Sequence, residues 1–208
     1  MYFFLLLPGA ILAPILHEWV KARVSTALGD NTPLNSGFSA FRPLRYFEPI
    51  GFLLMLSYGV GWGQPVPTSP LNYKNRRMGT MLTYSAPILA NLLVGMIAAF
   101  LLSTFQTQMM SWAILNGDFA YRAMMHFGVS VFLFAQVNVS LAVFNLIPVF
   151  PLAGSRLLQL FVSPQTAITM SMREKQMLML LMLALILGAV EIVIFPIRDA
   201  ILGLVVAW

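Results

Sequence analysis

Two histidines, His17 and His126, and seven acidic residues are all that this 208-residue chain offers for acid–base or metal chemistry. There is no cysteine, hence no disulfide framework and no thiolate metal site. The densest constellation is His17-Glu18, with Lys21 following. An imidazole beside a carboxylate can supply a metal ligand and a general base. Glu18 and Lys21 are three residues apart, so on a helix they share a face and can pair. A lone imidazole cannot hold a catalytic zinc, which takes three protein ligands and a water. His126 is expected near the opposite membrane face, on the order of 20–30 Å away. Zinc–nitrogen bonds are about 2 Å long. Glu48 and Asp30 fall on the His17 side and are candidate replacement ligands.

The elements that must position these groups are membrane helices. Hydrophobic residues make up 59% of the chain and charged residues 9%, against about 25% charged in a soluble domain. Twelve Lys/Arg and seven Asp/Glu cannot coat a soluble fold of this length, which excludes a soluble protein, a disordered one and a nucleic-acid-binding surface. Uncharged runs place spans at 3–27, 79–105, 127–147 and 176–196, each near the ~20 residues that cross ~30 Å of hydrocarbon. The N-terminal run has no basic leader region and reads as a span, not a signal peptide. The stretch 47–65 is apolar but broken by Pro49, Gly51, Gly59, Gly61, Gly63 and Pro65. Its longest Gly/Pro-free run, Phe52 to Tyr58, is too short to cross.

Charge decides between a fifth span and a re-entrant segment. If 47–65 enters and leaves on one face, that face holds Lys21, Arg23, Arg42, Arg45, Lys74, Arg76, Arg77, Arg156, Arg173 and Lys175. Only Arg122 and Arg198 lie on the other face, a split of ten to two among the twelve basic residues. A crossing makes it six to six. The positive-inside rule selects the first arrangement, with the basic face cytoplasmic and both termini outside. The expected fold is an all-α integral membrane protein of four to five transmembrane helices with a re-entrant or extended element at 47–70. Residues 1–208 form one transmembrane domain: a core over about 1–164 and an additional helix at about 176–196. Loop 106–126 is the largest outer element. The expected location is a bacterial inner (cytoplasmic) membrane.

Further motifs follow His17-Glu18 in order. They are Gly61-Trp62-Gly63-Gln64-Pro65-Val66-Pro67, then Ser85-Ala86-Pro87-Ile88-Leu89-Ala90-Asn91-Leu92. Last comes Asn145-Leu146-Ile147-Pro148-Val149-Phe150-Pro151-Leu152-Ala153-Gly154-Ser155-Arg156. This ordered set, over roughly residues 11–164, resembles the site-2 protease (peptidase M50) family of intramembrane zinc metalloproteases. The resemblance implies an H-E-x-x-H helix, with the third metal ligand an Asp in a P-L-D-G-G-R-like motif. Two His one turn apart and a carboxylate would hold zinc, a water would fill the open position, and the Glu would act as base. His17 and Glu18 match. Lys21 stands at the second His position and Ala153 at the Asp position. An ammonium has no lone pair to donate, and Ala153 removes the anionic ligand. His17 and Glu18 are then vestigial, and neither zinc nor any other cofactor is expected.

These readings imply a pseudoenzyme: a catalytically inactive site-2-protease-like protein acting as a structural or binding subunit of a membrane complex, or as a clamp for a partner transmembrane helix. Its partners are membrane lipids and other integral membrane proteins in a hetero-oligomer, with no nucleic acid. In the resembling proteases the Gly/Pro-rich segment lies by the substrate cleft, and an extended edge can hold a partner by strand addition. Candidate partner-binding residues are Gly61, Trp62, Gln64, Pro65, Val66 and Pro67, with Asn91 and Asn145 beside the cleft. Two alternatives stand. One is an active intramembrane zinc metalloprotease using His17 with Glu48 or Asp30. The other is a lipid- or cofactor-binding subunit that uses the vacated cleft. Elsewhere, Glu191 is expected to pair with Arg198 two turns on. Asn91, Asn138 and Asn145 are expected to hydrogen-bond between helices. Tyr46, Tyr58, Trp62, Trp112 and Trp208 are expected as interfacial anchors.

Overall fold

In the computed structural model, which describes residues 2–38 and 41–205, every regular element among those residues is helical. The long helices are α1 (Tyr2–Ala27), α4 (Arg76–Leu115) and α5 (Asp118–Leu146). Between the first two lie α2 (Thr32–Asn35) and the re-entrant helix α3 (Pro49–Tyr58). The chain ends with α6 (Ala153–Leu158), α7 (Pro164–Met172), α8 (Glu174–Ile186) and α9 (Ala189–Gly203). Among the described residues three helices are long and apolar enough to cross a membrane, or four if the bent pair α8 and α9 is counted as one span.

α5 is the hub. Its residues from Val137 to Asn145 are continuously buried, and it packs against α1, α4 and α9. Small residues let the backbones close on it, as is usual where lipid supplies no hydrophobic drive between helices. A Cβ on Gly95 of α4 would lie 2.7 Å from a Val139 methyl and 2.9 Å from the Ala135 carbonyl oxygen. One on Gly9 of α1 would lie 3.1 Å from Phe134 Cα.

The 47–65 segment is re-entrant, as charge counting requires. α3 has 10 residues, about 15 Å, half the hydrocarbon thickness. Pro49 opens it and Gly59, at φ +70°, closes it in the left-handed cap conformation. The chain then returns extended, and the Gln64 N–H donates to the Tyr46 carbonyl at 2.8 Å, beside the point of entry. Gly51 and Gly61 allow the two limbs to touch, since a Cβ on either would meet the other limb's backbone.

Three expectations are corrected. Residues 106–126 are not a loop: α4 and α5 continue through them and turn only at Asn116-Gly117. α4 has 40 residues, about 60 Å, twice the hydrocarbon thickness. In this extension Ala113 is buried and Met109 and Met110 are half-buried. The 176–196 span is not one helix. α8 and α9 meet at 74°, because Gly188 takes φ +72° and ends the first helix. Finally, Tyr46 is no interfacial anchor; it is fully buried against Phe38. Trp62 packs on the core and Trp112 is exposed. Trp208 lies outside the described residues.

Candidate functional site

The site grows from α1, α4 and α5, which bring His17, Asn91 and Asn138 together in the buried centre. The Asn91 amide has one possible orientation. Its Nδ2 donates to the Ala13 carbonyl (3.0 Å) and to Asn138 Oδ1 (2.9 Å), which uses both of its hydrogens. Its Oδ1 therefore faces His17 Nδ1 at 3.0 Å and must accept. The His17 tautomer follows: Nδ1 carries the proton, and Nε2 keeps the lone pair in the neutral ring. Asn138 is fixed in turn by donating to the Phe134 carbonyl.

One residue further along α1, Glu18 faces two donors. Its Oε2 accepts from Lys21 Nζ at 3.3 Å and from the Val66 backbone N–H at 2.8 Å. Glu18 and Lys21 are both buried, with 7% and 8% of their surface exposed. The Lys21 ammonium also lies 5.3 Å over the Tyr84 ring, a cation–π contact strengthened by desolvation. The carboxylate that could act as a base is thus neutralised by an internal cation, and it also pins the extended segment. Gly63 passes so close that a Cβ there would sit 2.9 Å from the Pro14 carbonyl oxygen and 3.3 Å from Glu18 Cγ.

The proline-rich motif closes the site from the other side. Asn145 Nδ2 donates to the Leu141 carbonyl, and its Oδ1 accepts from the Ala153 N–H at 3.5 Å. Ala153 is buried with Ile88 and Ala142, and Tyr84 packs on that cluster. Tyr84 therefore contacts the Lys21 ammonium and the cluster that contains Ala153. The expected interhelical role of Asn91, Asn138 and Asn145 holds, with Asn145 joining α5 to the first residue of α6.

A model of peptidase family M50 matches residues 50–189, two thirds of the chain. The chain belongs to this family. It is also 28% identical over 193 residues to the Bacillus subtilis (strain 168) protein named "Putative zinc metalloprotease YwhC", covering 91% of this chain and 85% of that one. No solved structure matches. The fold is accordingly that of an all-α integral membrane protein with a site-2-protease core.

Zinc is the metal that M50 membership implies, so the donors can be tested against it. Nothing but His17 among the expected ligand positions offers a lone pair, and among the described residues no three His, Asp or Glu side chains converge. The substitutes fare no better. Glu48 caps α3 by accepting from the Gly51 N–H. Asp30 accepts from Ser25, Thr32, Ser69 and Asn72. His126 lies twelve residues along α5 from Asn138, about 18 Å. The donor set does not fit a three-ligand zinc site.

Of the partner-binding residues expected in this M50 chain, Val66 is buried while Gln64, Pro65 and Pro67 are exposed. Gln64 and Val66 turn their N–H groups inward. The alternate positions, Pro65 and Pro67, carry no N–H, so the outer edge offers carbonyl acceptors there and no donors. Sequence reasoning missed Tyr84. It precedes Asn91 by seven residues, two helical turns, which puts both on one face of α4.

Asp30 has its own consequence. It is fully buried in the loop after α1. Burial pushes its carboxyl up, but the hydrogen bonds from Thr32, Asn72 and Ser69 outweigh this and hold it at about 2. The native state thus binds this proton less readily than the unfolded chain, whose value is 3.8. The stabilisation is complete above pH ~4 and fades as pH falls towards 2. Asp30→Asn should remove about 2 kcal/mol at pH 7 and flatten the stability profile between pH 4 and 2. Thermal unfolding in detergent at stepped pH checks it; an unchanged profile would contradict this role.

Proposed function

We propose that this M50 protein is a pseudoprotease: catalytically inactive, and serving as a binding subunit that holds a partner's transmembrane segment within a larger membrane complex. One observation carries the reading. Glu18, which would be the base, is occupied by Lys21 and the Val66 N–H. The site-2-protease architecture is kept, with its His17–Asn91 contact and its re-entrant strap, while the metal-binding functions are replaced by an internal ion pair. The strap's outer edge accepts hydrogen bonds at Pro65 and Pro67, so it suits a partner segment unwound enough to present free N–H groups. The basic face is assigned to the cytoplasm of a bacterial inner membrane, which accords with the Bacillus relative.

A second reading is an active zinc protease, favoured by the name of that relative. Metal analysis of the detergent-purified protein separates the two. The pseudoprotease reading expects no stoichiometric zinc and no change on His17→Ala. Stoichiometric zinc that His17→Ala abolishes would sink it. Mild-detergent isolation tests the subunit role. That role expects a stoichiometric membrane partner whose retention falls when Val66 is replaced by Pro, which removes the N–H bonded to Glu18. A protein that runs alone refutes it.

A further inference from the structure

About 16 Å up α1 from His17, a second site lies between Leu6 of α1, the end of α3, α5 and α9. It is a cavity of about 330 Å³ whose lining includes Tyr58, Gln136, Ser140, Glu191 and Arg198. Ionisable groups at membrane depth are costly, and Glu191 and Arg198 are distinct from the buried Glu18–Lys21 pair. The expected Glu191–Arg198 pair does not form. Arg198 Nε donates to Asp199 at 2.7 Å, and its guanidinium lies 4.3 Å over the Phe195 ring. Among the described residues the Glu191 carboxylate has neither an ion pair nor a hydrogen bond. The two charges are seven residues apart on α9, about 10 Å along its axis, so each presents its own sign to one cavity.

Glu191 and Arg198 line the same cavity as Tyr58 and Gly59, where α3 ends. The Glu191 carboxylate carries the negative charge that favours a cation. The Arg198 end favours a phosphate, which guanidinium nitrogens bind in a fork. Leu133 and Gln136 also line a neighbouring, almost wholly apolar groove of about 460 Å³ between α4 and α5, walled by Met109, Met110, Met124 and Met125. Flexible thioethers suit a chain of variable shape. At its far end, α9 is tied to α4 by Ser103 Oγ donating to the Val205 carbonyl.

We propose that this pair of cavities is a specific lipid site. The ammonium of a phosphatidylethanolamine head meets Glu191, its phosphate meets Arg198, and one acyl chain fills the methionine-walled groove. The site is separate from the His17 cluster and does not depend on whether that cluster is active.

The test is a native mass-spectrometric titration of the full chain in detergent with phosphatidylethanolamine, phosphatidylcholine and phosphatidylglycerol of identical chains. Ethanolamine lipid should be retained about tenfold more tightly than the other two, since trimethylation removes the ammonium donors and glycerol removes the cation. Glu191→Gln should abolish the preference over choline lipid, and Arg198→Gln should weaken all three. Gly128→Leu, placed in the groove where an added Cβ has 3.8 Å of clearance, should weaken the diacyl lipids and leave water-soluble glycerophosphoethanolamine unaffected. Equal retention of the three lipids by the unmodified protein overturns the proposal without any variant. A soluble head group that binds as tightly as the lipid overturns the acyl half and assigns the site to a free phosphoammonium ligand.

Discussion

Replacing Lys21 by His and Ala153 by Asp together is expected to convert the protein into a zinc binder. The double variant places a second imidazole four residues after His17, on the same helix face, and a carboxylate at the head of α6. His17 is already prepared, because Asn91 accepts from its Nδ1 and leaves Nε2 for metal. Such outer partners are worth roughly 10–100-fold in metal affinity. Removing Lys21 also removes the cation that would repel the dication, and it frees Glu18. Near-stoichiometric zinc is expected in the double variant, lost on adding His17→Ala and weakened by adding Asn91→Leu. At zinc 100-fold above its dissociation constant the folded state should gain about 2.7 kcal/mol, visible as a raised melting temperature. A folded double variant that takes up no zinc would mean that Lys21 or Ala153 does not occupy a former ligand position.

The second large effect concerns the pair itself. Breaking a buried ion pair by removing one partner typically costs 3–5 kcal/mol, because the remaining charge is left uncompensated. Glu18 and Lys21 are more than nine-tenths buried, so Lys21→Met and Glu18→Gln should each destabilise the protein by about that amount. The double variant Glu18→Gln/Lys21→Met should recover most of the loss, since neither charge then remains. The cycle isolates the coupling. Glu18→Gln carries an extra signature: the Val66 N–H loses its charged acceptor, so the 59–69 strap should become more susceptible to proteolysis. Lys21→Met, which leaves that bond in place, should not show this. Additive single losses would instead indicate that the two groups are satisfied independently.

How much of this was legible in the residues varies by element. The re-entrant hairpin was, because its prolines and glycines prevent a span. The Glu18–Lys21 contact was too, as a three-residue spacing on one helix. The break in the last span was not. A Gly between two apolar runs is compatible with a continuous helix at a cost of about 1 kcal/mol, and packing of α9 on α5 decides the matter. The α4–α5 extension was also missed, since uncharged polar residues such as Gln106, Gln108 and Ser111 suit a loop as well as a helix.

The chain's sequence alone determined that it resides in a membrane and which motifs stand in which order, and it set the expectation that Lys21 and Ala153 stand at ligand positions. Those properties depend on composition and spacing. Only the tertiary structure decided that Asn91 orients His17, that Glu18 anchors the strap through Val66, and that Tyr84 contacts both Lys21 and the cluster around Ala153. It also decided that Glu191 and Arg198 face a cavity and not each other. Each of these joins segments dozens of residues apart, or depends on how one helix is rotated against its neighbours. Local periodicity does not encode that rotation; the close approach of α1, α4 and α9 to α5 sets it.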